Sequence, residues 1–310
     1  MITYFKNTES GLTQMDEPVN GCWIRVQDPS PREIVEITEL GIPQDFVTPA
    51  LDIDERPRTE REDNGIILIV LRVPLFQGKK VDVPYSTLPI VIILCEKYIV
   101  TVSKFESDIL DDFCSGKVKG FSTSKRNRFV LRLLFSAANK YLMHLREINK
   151  TVDGLEDQLQ LSMRNKEVLE LLKYQKSLVY FTTALKTNEL VLERLQRTQM
   201  FKMYPDDEDL LEDVITENQQ AIEMVNISSS ILSSMMDAFA SIISNNLNVV
   251  MKFLASITIV MSIPTIVTSF FGMNVDLPFQ NHPLASIFII LIFVLISAGV
   301  IWIFMRRDWF

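Results

Sequence analysis

Phe253–Phe271 reads FLASITIVMSIPTIVTSFF, and Leu284–Phe304 reads LASIFIILIFVLISAGVIWIF. The first run has 19 residues and the second 21, and neither contains a charge. A bilayer core takes about 20 apolar residues in a helix, so each run is long enough to cross one. The other reading is a pair of core helices in a soluble domain. Their place at the chain end, flanking a 12-residue linker, speaks against it. Lys252 precedes the first run, and Arg306 and Arg307 follow the second. The linker Gly272–Pro283 holds Asp276 and neither Lys nor Arg. Cytoplasmic flanks carry the excess of Lys and Arg, so both termini are expected on the cytoplasmic side of a cell (inner) membrane. Trp302 and Trp309 fit an interfacial aromatic belt.

The charge distribution repeats this division. The chain of 310 residues has a net charge of −8, of which residues 252–310 carry +1 and residues 1–251 carry −9. A mean hydropathy of +0.16 coexists with 23% charged residues because the apolar residues are concentrated at one end. Abundant aliphatic side chains exclude intrinsic disorder, and an acidic body disfavours nucleic acid as a partner. Cys22, Cys95 and Cys114, odd in number and irregularly spaced, make no disulfide framework and suit a reducing compartment. The opening MITYFKNTES lacks the apolar core of a cleaved signal peptide.

Proline and glycine place the elements between. Nine of the 13 prolines precede residue 90, whereas Asp206–Ile263 is 58 residues with neither Gly nor Pro. Pro205 followed by acids at 206–209 is a favourable helix start. At 1.5 Å per residue the helix would run roughly 87 Å. Its apolar positions Leu211, Ile215, Ile222, Val225, Leu232, Met236, Phe239, Ile243, Leu247 and Val250 require packing partners, from the same chain or from identical copies. Two helical stretches precede it, Ser124–Leu161 and Asn165–Met203. Ile66–Val73, Thr87–Leu94, Tyr98–Ser103 and Cys22–Gln27 read as strands. Ser30-Pro31-Arg32-Glu33 starts a capped helix running to Leu40. The expected fold is an α/β cytosolic domain with a long helical arm and stalk helix, then a two-helix transmembrane hairpin. Its parts are an α/β domain at 1–123, an arm at 124–205 and a stalk at 206–252. Spans at 253–271 and 284–304 follow, joined by an outer loop at 272–283, with a basic tail at 305–310.

Enzyme signatures are thin, and the expectation is a non-enzyme. No Gly-rich phosphate loop or G-x-S-x-G elbow occurs. His144 reads as a helix-surface residue and His282 lies in the outer loop, neither at a zinc-ligand spacing. Asp52, Asp54, Glu55 and Arg56 read as a charged turn, solvated or locally ion-paired.

Within the first span the polar residues share a face. Thr258, Ser262, Thr265 and Ser269 recur at i, i+4, i+7 and i+11, and Asn248, Met251 and Leu254 extend that face. It can be a seam between packed helices or, in a homo-oligomer, the lining of a pathway. Two spans per copy cannot enclose a pathway alone.

At the outer end of that span stands Phe271-Gly272-Met273-Asn274, about 36 residues from the C-terminus. Asn-x-Val-Met-Lys-x-Leu occupies Asn248 to Leu254, and Asp54-Glu55-Arg56-Pro57-Arg58 stands in the N-terminal domain. With two spans and a basic tail, the whole chain resembles the CorA family of divalent-cation channels, the two-span group marked by Gly-Met-Asn. The resemblance implies a homopentameric funnel with the first span lining the pore and the second ringing it. Asn274 would form the selectivity ring, positioned by Gly272 and Met273. Asn248 would form an inner polar ring, and Met251 and Leu254 a hydrophobic constriction that gates by dewetting. Thr258 belongs to the same lining, and Thr265 matches a polar family position. Ser262 departs from the family, where Met is common. Carboxamide oxygens suit Mg²⁺, which gives up its water reluctantly and can pass still hydrated.

The implied function is Mg²⁺ uptake driven by the membrane potential, with Co²⁺ and Ni²⁺ as further passengers, gated by cytosolic Mg²⁺ as a regulatory ligand. By similarity Asp213 matches a stalk carboxylate that binds this ligand between subunits. Its partner acid does not carry over, because the aligned stretch reads Thr48-Pro49-Ala50. Asp45 and Asp52 are nearby acids, and neither is assigned. The alternatives are a Zn²⁺ transporter on the same scaffold and a membrane-tethered sensor or scaffold that conducts nothing.

Overall fold

The computed structural model describes residues 1–8, 11–162, 165–198, 204–273 and 283–307. Two compact units, Met1–Met235 and Met236–Phe310, divide it. The first is built on seven strands: β1 (Ile2–Thr8), β2 (Gly11–Met15), β3 (Cys22–Gln27), β4 (Arg58–Arg61), β5 (Ile67–Phe76), β6 (Tyr85–Leu94) and β7 (Tyr98–Ser103). They form one sheet in the order β2-β1-β3-β7-β6-β5-β4. Only the β3–β7 pairing is parallel.

The central strands bury both faces, which is why they read as unbroken Ile, Val and Leu runs. Ile67, Ile69, Leu71 and Val73 of β5 enter one hydrophobic core, while Leu68 and Val70 enter the other. The second core is closed by α1 (Pro31–Glu39), α2 (Gln44–Val47) and a 3₁₀ turn at Thr48–Leu51, through Ile37, Phe46, Val47 and Ala50. Ser30 caps α1 as expected. Its hydroxyl accepts from the Glu33 amide, and the Glu33 carboxylate accepts from the Ser30 amide at 2.8 Å. The first core is closed by α3 (Asp108–Cys114), α4 (Arg126–Ser162), α5 (Asn165–Thr198) and the start of α6 (Pro205–Phe271). Trp23 is fully buried there among Phe5, Phe113 and Phe129, and its indole N–H donates to Thr101 Oγ1 at 2.8 Å.

The four strands expected from sequence are present, with β5 and β6 each extended beyond the apolar run. Sequence reasoning missed β1, β2 and β4. They lie at the two ends of the sheet order, where one-sided burial permits side chains such as those of Arg58, Glu60 and Arg61. The arm helices appear as α4 and α5; the expected end of the second at Met203 lies outside the described residues.

Within the first unit, α6 buries Asp207, Leu211, Val214, Asn218, Ala221, Val225, Ser228, Leu232 and Met235. Their spacing alternates four and three, a 3.5-residue repeat of the kind that packs helix on helix. The seam is tied to α5 by the Asn218 side-chain amide, which donates to Leu185 O at 3.3 Å. It also corrects the sequence-derived stripe. Ile215, Ile222 and Met236 are only half-buried, and Ile243, Leu247 and Val250 are exposed.

The second unit holds the rest of α6 and α7 (Ala285–Arg306). Ser256 is fully buried, and Val260, Ile263 and Val267 are half-buried at the same four-three spacing. On α7 the half-buried positions are Ile289, Phe293, Ser297, Val300 and Phe304. Nearly every other apolar side chain of both helices is exposed. Helix α6 continues through Pro264, although proline removes one backbone donor. Thr268 Oγ1 donates to Pro264 O at 2.8 Å just beyond it.

Candidate functional site

The apolar windows of α6 and α7 have mean hydropathies of 1.9 and 3.1, and almost nothing in them is buried within the chain. Core helices of a soluble protein hide such residues, and exposure on this scale marks a face that meets lipid or another chain. Arg306 lies over the Trp302 ring, 4.5 Å from its centroid, an aromatic-cation pair at the end of α7. Trp309 lies outside the described residues.

The polar face expected from spacing is a real feature of α6. At about 100° per residue, Thr258, Ser262 and Thr265 point away from the half-buried stripe of Ser256, Val260, Ile263 and Val267. Thr258 and Thr265 are exposed and Ser262 is half-buried. Each hydroxyl donates into its own helix. Thr258 reaches Leu254 O at 2.8 Å, Ser262 reaches Ile259 O at 2.7 Å and Thr265 reaches Met261 O at 3.4 Å. With the proton so engaged, the oxygen lone pairs remain to accept from outside. Asn248, Met251 and Leu254 are exposed as well. The face therefore combines oxygen acceptors with large apolar side chains, and among the described residues all but the half-buried Ser262 are exposed.

Gly272 closes α6, its amide donating to Thr268 O at 2.9 Å. A Cβ there would sit 3.1 Å from that same oxygen, tighter than nearly all real contacts, so a side chain would push on the helix terminus. Met273 follows and is exposed. Asn274, Asp276 and His282 lie outside the described residues.

A family match decides what this arrangement belongs to. The family described as "CorA-like Mg2+ transporter protein" matches residues 20–307. The chain belongs to that family. The cobalt/magnesium transport protein CorA of Methanocaldococcus jannaschii is 29% identical over 305 residues, covering 93% of this chain and 90% of that protein. The complete structure of the CorA magnesium transporter from the same organism aligns with a TM-score of 0.84 at 25% identity, covering 100% of this chain and 99% of that one. The cytoplasmic domain of ZntB from Vibrio parahaemolyticus aligns at 0.63 over 78% of this chain and 98% of its own length. At 12% identity, that match shows shared fold alone.

In this CorA-family chain the acidic start of α6 is more structured than a dipole argument requires. Asp207 is buried, with Arg128 Nη1 at 3.9 Å, and the same guanidinium is 3.6 Å from exposed Asp206. Asp213 is exposed. Pro49 and Ala50 are buried in the second core, while Asp45 and Asp52 are exposed. Among the described residues no three His, Cys, Asp or Glu side chains are grouped to hold a metal.

The Asp54–Arg58 segment is tied down from both sides. Glu55 pairs with Arg58, which also pairs with Glu60, and the Glu55 carbonyl accepts from Arg72 Nη1 at 2.9 Å. The Arg72 backbone is held in turn by Asn188, whose Oδ1 accepts from its amide at 2.9 Å and whose Nδ2 donates to its carbonyl at 2.7 Å. Local ion pairing is thus the observed reading, with Arg58 rather than Arg56 as the partner.

His144 corrects the sequence reading. It is buried instead of lying on the helix surface, its ring centroid 5.1 Å from that of Tyr85 and tilted 54° to it, with Nδ1 3.0 Å from Glu147 Oε2. Burial holds its pKa below the ordinary value, so the neutral ring donates from Nδ1. Nε2 is left without a partner among the described residues. Glu147 also accepts from the Tyr85 hydroxyl at 3.2 Å, and its pKa is lowered chiefly by the His144 bond.

Proposed function

We propose that this chain is a channel for divalent cations that admits Mg²⁺, with Co²⁺ and Ni²⁺ as further passengers. Residues 253–271 and 284–304 span the membrane as a hairpin with both termini in the cytoplasm. Five copies close the pathway. Residues 1–123, 124–205 and 206–252 act as cytosolic domain, arm and stalk. One observation carries the reading. The Thr258–Ser262–Thr265 face, exposed at Thr258 and Thr265 among the described residues, points away from the half-buried stripe. In a family of Mg²⁺ transporters, such a face belongs around an axis.

The chemistry follows from the residues. A hydrated Mg²⁺ presents water protons, and the free lone pairs of Thr258, Ser262 and Thr265 accept them without stripping the shell. Met251 and Leu254 supply an apolar constriction whose dewetting closes the path, and Asn248 is the polar ring on its inner side. Gly272 and Met273 set the position of Asn274, whose carboxamide selects the hydrated ion at the mouth. Asp213 is a hard oxygen donor suited to Mg²⁺. One exposed carboxylate is an incomplete site, so the regulatory ion is held between copies.

Fluorescent-dye flux in liposomes bearing the purified full chain tests this. Wild type is expected to conduct Mg²⁺, and Asn274→Ala to lose discrimination or flux. Absence of wild-type Mg²⁺ flux supports the scaffold reading, and Zn²⁺ flux that exceeds Mg²⁺ flux supports the zinc alternative. Undiminished, equally selective flux through Asn274→Ala would remove the selectivity role.

A further inference from the structure

A cavity of about 500 Å³ in the first unit is lined by Lys117, Lys119, Arg132 and Lys140 together with Asp112. The transport reading makes no use of it. Residues 1–251 carry a net charge of −9, so four cations around one hollow run against the background. Two of them are engaged: Lys117 pairs with Asp112 at 2.7 Å, and Lys140 with Asp108 at 3.0 Å. Arg132 has no ion pair among the described residues, and its Nε is buried without a hydrogen-bond partner.

The same guanidinium has a close backbone neighbour. It lies against Gly120, where a Cβ would come within 3.2 Å of Arg132 Nη2, and the backbone there adopts φ +76°. That conformation calls for glycine. A half-buried guanidinium whose Nε is unpaired is costly to maintain unless something accepts from it. A phosphate oxygen is the acceptor that suits a guanidinium, because the planar fork matches its geometry.

Size and lining narrow the ligand further. About 500 Å³ is small-molecule scale and far more than an isolated phosphate fills. Arg132, Phe135 and Lys140 share one face of α4, and Val118 stands beside them, so cations adjoin an apolar wall. We propose that this cavity binds a nucleoside polyphosphate. Its phosphates engage Arg132 and Lys119, and its base rests on Phe135 and Val118. The site stands independently of the channel.

Equilibrium dialysis of radiolabelled ATP against the detergent-solubilised full chain tests the assignment. Saturable binding is expected at millimolar or lower ATP, with pyrophosphate about tenfold weaker as a competitor for want of a base. Arg132→Met should weaken ATP by about tenfold or more, while Lys79→Ala, on an exposed turn outside the cavity lining, should leave it unchanged. Lys119 is exposed, so Lys119→Glu keeps the fold and should also weaken binding if Arg132→Met fails to fold. No saturable ATP binding, or binding indifferent to both variants, overturns the site. Pyrophosphate competing as well as ATP overturns the base contact, and displacement by phosphatidylglycerol micelles alone would assign the cations to lipid headgroups instead.

Discussion

The two parts of α6 obey opposite rules. From Asp207 to Met235 the helix hides one narrow seam with a 3.5-residue repeat, and apart from Asp207 that seam carries no charge. From Ile242 to Phe270 large apolar side chains are exposed, and the polar positions Thr258 and Thr265 are exposed among them. A single helix thus carries two solvent codes. In the first part burial is completed by the chain itself, so each seam residue can be assigned a stability cost. In the second part the chain leaves its apolar side chains exposed, so the same substitutions should hardly register in the folding of one chain.

The largest expected stability effect tests that contrast. Leu232→Ala empties a fully buried seam position and should lower the unfolding free energy of the body by about 3 kcal/mol in urea titrations followed by circular dichroism. Leu295→Ala, exposed on α7, should change it by less than about 0.5 kcal/mol. Equal effects would break the division. Next comes Asn188→Ala, which strips both Asn188 side-chain bonds from the Arg72 backbone and leaves its part-buried amide without that acceptor. The expected loss is about 2 kcal/mol by the same titration. Ser30→Ala removes the α1 cap and should cost about 1 kcal/mol.

The smallest effect is a slope in pH. His144 resists protonation in the folded chain, so below its ordinary value near 6.5 the unfolded chain binds the extra proton and gains. Glu147 acts in the same direction. Its lowered pKa stabilises the fold above the ordinary carboxylate value, and that stabilisation is lost as acid protonates it. The melting temperature should therefore fall as pH drops from about 7 to about 5, and His144→Phe should flatten the upper part of that fall. An unchanged slope would show that the cluster does not titrate there.

Much of this architecture is legible in the residues, for reasons the structure makes plain. Strands buried on both faces carry unbroken apolar runs, so β5, β6 and β7 announce themselves. Edge strands such as β4 are free to hold Arg and Glu, so Arg58–Arg61 looks like a loop. His144 was readable after all. It stands three residues after Tyr141 and four before Ile148, both fully buried, which places it on the inner face of α4. The hydroxyl face of α6 was visible from spacing because helical geometry alone aligns it. What covers that face is not encoded locally, since spacing aligns residues on one helix and says nothing of what packs against them. The Arg72–Asn188 clamp joins residues 116 positions apart, and no spacing rule reaches so far.

The most direct test blocks that face sterically. Mg²⁺ entry into liposomes would be compared for wild type, Thr258→Trp on the hydroxyl face and Leu295→Trp on exposed α7, all reconstituted as the full chain. The account predicts that Thr258→Trp abolishes entry while Leu295→Trp conducts as wild type. A conducting Thr258→Trp, or a wild type that admits no Mg²⁺, would contradict it.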